Sequence, residues 1–287
     1  MSVRFEGPVL VGLEPSRSGL AALDLAVDVA ASRRVGLEVI HSAPDPQRGG
    51  EVLTAAVRRV RLRAPAVAVE AEVTGDEPAS ALLRRGRDAG LVVVGHRGRG
   101  SGRSARSGRT AAGSVALRVA TLATVPVVVH RPIDGPDPHG RPVAVGVGVV
   151  AEDEPLAFAF AEADRLGVPL VVEHVWSAPA DSGPARAGAN RRAEFAALAE
   201  AARLVDDTIA LWSDKFPGVE VRRALRHGLD PAFALTAASR AAGLLVVGST
   251  AASAPLVQAL VHRAGCPVAV VACVPGPAGG PPASRYP

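Results

Sequence analysis

Apolar positions along this chain fall into short continuous runs separated by longer segments of helical spacing. The run VLVGL begins at Val9, and from Leu20 to Ala31 apolar residues recur at intervals of three and four. VGLEVIH follows, then a short helical pattern near 51–63, AVAVEAEV, a helix at 78–89, LVVVG ending at Gly95, a helix at 114–123 and VPVVVH. The strand-like runs are nearly continuously apolar rather than alternating. Strands of that kind are buried on both faces, as in a parallel sheet covered by helices on each side. The expectation is an α/β, doubly wound unit of five parallel strands.

The pattern then repeats. Val11-Gly12 matches Val145-Gly146, TGDEPASALLRRGRDAGLVVVG from Thr74 matches HGLDPAFALTAASRAAGLLVVG from His227, and VPVVVH matches CPVAVV. Pro78 and Pro231 hold equivalent places. Internal repetition of this length means two copies of a domain, which suits 287 residues. The expected units are residues 1–133 and 141–275, joined by a Pro/Gly-rich linker over 134–140. A tail, 276–287, is too rich in Pro and Gly to be expected to fold. The second unit gains length from a long second helix, AEFAALAEAARLVDDTIALW.

Candidate chemistry concentrates between Leu91 and His130. A strand ends at Gly95, a Gly/Ser/Arg segment follows, Gly113-Ser114 opens a helix, and Pro126 begins the next strand. This order presents backbone N–H groups to an anion at a helix N-terminus. The segment resembles the nucleotide loop of the universal stress protein family, G-x2-G-x9-G-[S/T]. Gly95-x2-Gly98 and Gly113-Ser114 fit it, but fourteen residues separate Gly98 from Gly113 where the family has nine. Gly108 has the literal spacing but is followed by Arg109, so the segment reads as a five-residue, Arg-rich insertion.

The resemblance implies two tandem universal stress protein domains with the adenine-nucleotide-hydrolase-like fold, forming an intramolecular pseudo-dimer and leaving a homodimer open. It also implies ATP in the first domain, with Mg²⁺ left open. Gly95, Arg97, Gly98, Gly113, Ser114 and Val115 would surround the phosphates. The family's first strand ends in V-D-G-S beside the adenosine; here Leu13, Glu14, Pro15 and Ser16 stand there, and Pro15 removes a donor and positive φ. Ser42 falls where family backbone atoms read adenine. The bland counterparts are a solvated carboxylate at Glu14, an ordinary Gly-rich turn with an N-cap Ser114, and a solvated loop of Arg97, Arg99, Arg103, Arg106 and Arg109. In the second copy the position of the family Asp is Gly148, and Gly113-Ser114 is matched by Ala254-Pro255 after a seven-residue deletion. That copy is expected to bind no nucleotide.

Other patterns change this picture little. Gly146-x-Gly148-x-x-Ala151 imitates a dinucleotide fingerprint, but Glu152, Asp153 and Glu154 would repel a pyrophosphate. Lys215 is the only lysine and lies far from any Gly-rich loop. His41 and His174 are equivalent strand ends, which argues for structure rather than catalysis, and no G-x-S-x-G accompanies them. A net charge of +4 and a pI near 9.9 suggest nucleic acid. With 3% aromatic residues there is little to stack bases, so no specific nucleic-acid partner is expected. Cys266 and Cys273 lie on one expected strand, about 23 Å apart, and do not bridge. No apolar run reaches the ~18 residues of a membrane span, and the N-terminus does not read as a secretory signal. The expectations are a cytoplasmic regulatory nucleotide-binding protein, not an enzyme, set against a ligand-free interaction module and, third, a slow ATP hydrolase or kinase-like activity.

Overall fold

The computed structural model describes residues 7–96, 114–131, 140–148, 153–177, 187–228 and 230–273. The first half runs β1 (Val9–Gly12), α1 (Arg17–Arg33), β2 (Leu37–Ser42), α2 (Pro46–Arg63), β3 (Val69–Thr74), α3 (Pro78–Arg85), β4 (Leu91–Gly95), α4 (Ser114–Leu122) and β5 (Val127–His130). The second runs β6 (Val143–Val147), α5 (Asp153–Leu166), β7 (Leu170–Trp176), α6 (Ala187–Ser213), β8 (Val221–His227), α7 (Pro231–Ser239), β9 (Leu244–Ser249), α8 (Ala254–Arg263) and β10 (Val268–Ala272).

The strands form one ten-stranded sheet in the order β3-β2-β1-β4-β5-β10-β9-β6-β7-β8. Every pairing is parallel except that of β5 with β10, which is antiparallel with Val129 opposite Val268 and Val127 opposite Val270. The two expected five-stranded sheets are thus present, and their last strands fuse them into one.

Alternation along the strands sorts the core into two layers. Val9, Val11, Leu91 and Val93 face α1 and α2, continuing in the second half to Phe158 and Phe160 of α5 and Trp212 of α6. Leu10, Val92, Val94, Val127 and Val129 face α3 and α4, continuing to Leu235 of α7 and Val257 and Leu260 of α8. The aromatic content gathers in the first layer, where Phe160 stacks on Trp212 at 6.2 Å and on Phe216 at 5.6 Å. The sheet edges carry charge, Glu70 and Glu72 on β3 and Arg222, Arg223 and Arg226 on β8, which discourages pairing with a further strand.

The repeat extends to single contacts. A Cβ on Gly12 would stand 2.8 Å from Leu82 Cδ1, and one on Gly146 would stand 2.8 Å from Leu235 Cδ1, so each first strand takes a leucine of the third helix at the same glycine. Glu77 and Asp230 cap α3 and α7, each with proline in the first turn. Cys266 and Cys273 flank β10 rather than lying on it, and they form no disulfide with each other. Burial pushes the Cys266 thiol up to about 12, which leaves it an inert core group.

Candidate functional site

In each half the strand order reverses beside the first strand, with β2 to one side of β1 and β4 to the other. Ligands of open α/β sheets bind in the crevice outside the carboxyl ends at such a reversal. The first crevice is bounded by the exits of β1 and β4. Leu13 donates its N–H to Ile40 O at 2.8 Å and accepts from His41 Nδ1 at 2.9 Å. Its counterpart Val147 accepts from His174 Nδ1 at 3.0 Å, so both histidines fasten the first strand to the second, as their equivalence predicts.

Beyond Leu13 the chain turns sharply. Ser16 N–H donates to Glu14 O at 2.7 Å, and Ser16 Oγ accepts from Gly19 N–H at 3.1 Å, capping α1. Glu14 is half-buried beside this turn. Ser42 ends β2, and its hydroxyl donates to Asp76 O at 2.6 Å. Each hydroxyl thus makes one hydrogen bond within the protein, Ser16 as acceptor and Ser42 as donor. Gly95 ends β4 against α1: a Cβ there would stand 3.0 Å from Ser18 O. Ser114 opens α4, and Val115 packs partly buried against the second core layer. The fold thus gathers Leu13, Glu14, Ser16 and Gly95 around the start of α1, with Ser42 on the next strand. By topology α4 begins at the same carboxyl end of the sheet. Arg97, Gly98 and Gly113 lie outside the described residues, as do Arg99, Arg103, Arg106 and Arg109.

Three residues of this region escaped the sequence reading: Ser18, Gly19 and His96. Ser18 Oγ donates to His96 O at 2.5 Å across 78 residues of sequence. Gly19 allows Glu14 O so close that a Cβ would stand 2.0 Å from it. Its signal was readable as a glycine three residues after a cap serine. Gly19→Ala forces backbone against backbone and is expected to destabilise by about 1–3 kcal/mol. Ser16→Ala, which removes only the cap, should destabilise by about 1 kcal/mol. Thermal unfolding of both variants checks this; a neutral Gly19→Ala would show that the turn is not held as described.

The second half is built differently at the equivalent place. After β9, Thr250 N–H donates to Ser253 Oγ at 2.8 Å, Ser253 N–H donates back to Thr250 Oγ1 at 3.2 Å, and Ser253 Oγ donates to Gly248 O at 3.2 Å. The turn is thus tied together through Thr250 and Ser253, and Pro255 then occupies the first turn of α8, where it offers no donor. At the fingerprint look-alike, Asp153 and Glu154 form the first turn of α5. Anions there oppose a pyrophosphate.

The molecule is thus a duplicated, doubly wound α/β protein whose two halves differ in the turn that leads from the fourth strand to the fourth helix. The model of the universal stress protein family matches residues 7–131 and 140–272, and the chain belongs to that family, as a tandem member. It is 30% identical over 277 residues to universal stress protein Rv3134c of Mycobacterium tuberculosis, covering 92% of this chain and 95% of the relative. It is 29% identical over 266 residues to universal stress protein Rv2005c of the same organism, covering 84% and 86%. Its fold is similar to that of a universal stress protein from Archaeoglobus fulgidus, with a TM-score of 0.64 at 16% identity, over 92% of this chain and 98% of that one.

Proposed function

We propose that the first half binds an adenine nucleotide, ATP in the first instance, and that the protein acts as a cytoplasmic regulatory binding protein rather than an enzyme. The observation that carries this reading is the asymmetry between the crevices. The first keeps Gly95 at the exit of β4 and a serine at the start of α4, while the second fills the same place with an internally hydrogen-bonded turn and a proline. A helix N-terminus reached through a glycine-bounded strand exit suits phosphate. The main-chain surface past Leu13 and Ser42 suits the base end. Membership of the universal stress protein family supports the same assignment.

The arginines between Gly98 and Gly113 add cations to the phosphate end. Charge-assisted hydrogen bonds contribute roughly 1.5–3 kcal/mol each, against an ordering cost of about 1 kcal/mol or more per residue. Weak, salt-sensitive ATP binding is therefore expected. The check is an ATP-dependent rise in melting temperature that shrinks as salt is added, with mass spectrometry of nucleotide released on denaturation. A melting temperature indifferent to ATP, and no released nucleotide, would favour the second reading. That reading is a ligand-free interaction module, and it draws on Pro15 and on the engagement of the Ser16 and Ser42 hydroxyls within the protein.

A further inference from the structure

His96 is the first residue after β4, and its backbone is fastened on both sides. Its N–H donates to His130 O at 2.8 Å, and its carbonyl accepts from Ser18 Oγ at 2.5 Å. Its ring is only 7% exposed and meets His262 of α8, in the second half, edge to face at 6.0 Å. Its Nδ1 has no hydrogen-bond partner among the described residues. His262 is held in turn, because the Arg131 guanidinium donates to its carbonyl at 3.3 Å and to that of Ala264.

The charged or titratable groups that act on this ring are Arg131, just past β5, and His262 on α8. His130, on the neighbouring strand, is acted on by Asp24 of α1 instead, and Arg118 of α4 is drawn to Glu77 at 3.0 Å. Burial, then Arg131, then His262 push the His96 imidazole down to about 4, so it is neutral at neutral pH. Stability linked to this neutral ring is complete above the ordinary histidine value of 6.5 and is lost as pH falls from there toward 4.

We propose that His96 is a positioning residue through which the second half braces the nucleotide site of the first: His262 supports the His96 ring, and the supported residue fixes the exit of β4 against the N-terminus of α1. The inference rests on the nucleotide reading of the first half and gives a role to the second half. The mechanics follow from the contacts. Gly95 lies against the Ser18 main chain and His96 O accepts from the Ser18 hydroxyl, so a shift of His96 carries the start of α1 with it. Deleting the His262 ring opens a cavity into which His96 relaxes. Protonation acts in the same direction, because an imidazolium there is repelled by Arg131.

The test uses the full chain with His262→Ala and His262→Phe. Amide exchange is read at Ser18, Gly19, Gly95 and His96 without ligand. ATP affinity is read by calorimetry at neutral pH, where the His96 ring is neutral. His262→Ala should speed exchange at those four amides, leave β7 unchanged and weaken ATP binding roughly 5- to 10-fold, the low end of coupling between sites. His262→Phe restores a ring edge without a titrating group. It should recover both readouts. Unchanged exchange and affinity in His262→Ala would overturn the proposal. So would acceleration throughout the second half, which would mark general unfolding, or failure of His262→Phe to recover either readout. If the wild type binds no ATP, the nucleotide reading fails alone, and exchange at the four amides still decides whether the brace exists.

Discussion

Glu162→Ala is expected to destabilise the protein by about 3–5 kcal/mol, the usual result of breaking a buried ionic cluster by removing one partner. Glu162 lies on α5 and is 4% exposed. Its Oε1 accepts from Arg33 Nη2 of α1 at 2.7 Å, and its Oε2 accepts from Arg165 Nη2 at 2.7 Å. Arg165 also reaches Ser32 Oγ at 3.1 Å, and Arg33 lies over the Phe158 ring at 5.8 Å. The carboxylate therefore joins the two halves on the face opposite α4 and α8. Alanine would leave two largely buried guanidinium groups without their anion. A loss of that size is a large part of the 5–15 kcal/mol typical of a folded domain.

The sign with pH is fixed by the same contacts. Burial pushes the Glu162 carboxyl up, but Arg165 and Arg33 together pull it further the other way, so it ends below the ordinary 4.5. Its contribution is then complete above 4.5 and is lost as pH falls through the lower folded-state value. Glu162→Gln keeps the shape without the charge, so its stability should vary less with pH in that acid range. Urea unfolding at neutral and acid pH measures both effects. A loss under about 1 kcal/mol for Glu162→Ala, the range of exposed pairs, would mean that the joined β5 and β10 hold the halves without this cluster.

Much of the fold was legible because repetition and apolar runs are one-dimensional signals. The two units, their strands and the joining of their last strands all followed from them and from the family resemblance. Element starts were less legible. The pattern placed the second helix near 51–63, yet α2 begins at Pro46, where Asp45 caps it and accepts from Gln47 N–H at 3.0 Å. Gly49 and Gly50 hid that start, since Gly49 is buried without an apolar side chain; a Cβ there would stand 2.6 Å from Val73 Cγ1. In the same way the helix expected to reach 89 stops at Arg85, and a 3₁₀ turn over Gly86–Asp88 follows. Of the candidate site residues, Gly95 at the end of β4 and Ser114 at the start of α4 stand where the spacing put these elements. Ser18 and His96 were not readable, because their roles arise from contact between β4, α1 and α8. The ionic cluster at Glu162 was not readable either, because Arg33 meets it across 129 residues of sequence.

If the first half binds ATP as proposed, Gly113→Val is expected to abolish that binding, while Ala254→Val in the equivalent place of the second half should leave it unchanged. The argument for the first begins at the start of α4. Gly113 immediately precedes Ser114, the first residue of that helix, so a phosphate approaching the helix N-terminus must pass close to its backbone. A β-branched side chain there blocks the approach and restricts the backbone as well. Losing two charge-assisted hydrogen bonds at roughly 1.5–3 kcal/mol each weakens binding by about two to four orders of magnitude. The second half has no such contact to lose. Ala254 begins α8 behind the Thr250–Ser253 turn, in which the Thr250 and Ser253 N–H groups are already hydrogen-bonded, and Pro255 follows. Calorimetric titration of both variants, with melting temperatures to confirm folding, separates the possibilities. Equal losses from the two substitutions would overturn the one-site reading and place a ligand in each half. Undiminished binding by Gly113→Val would remove the phosphate end of the site from α4 altogether.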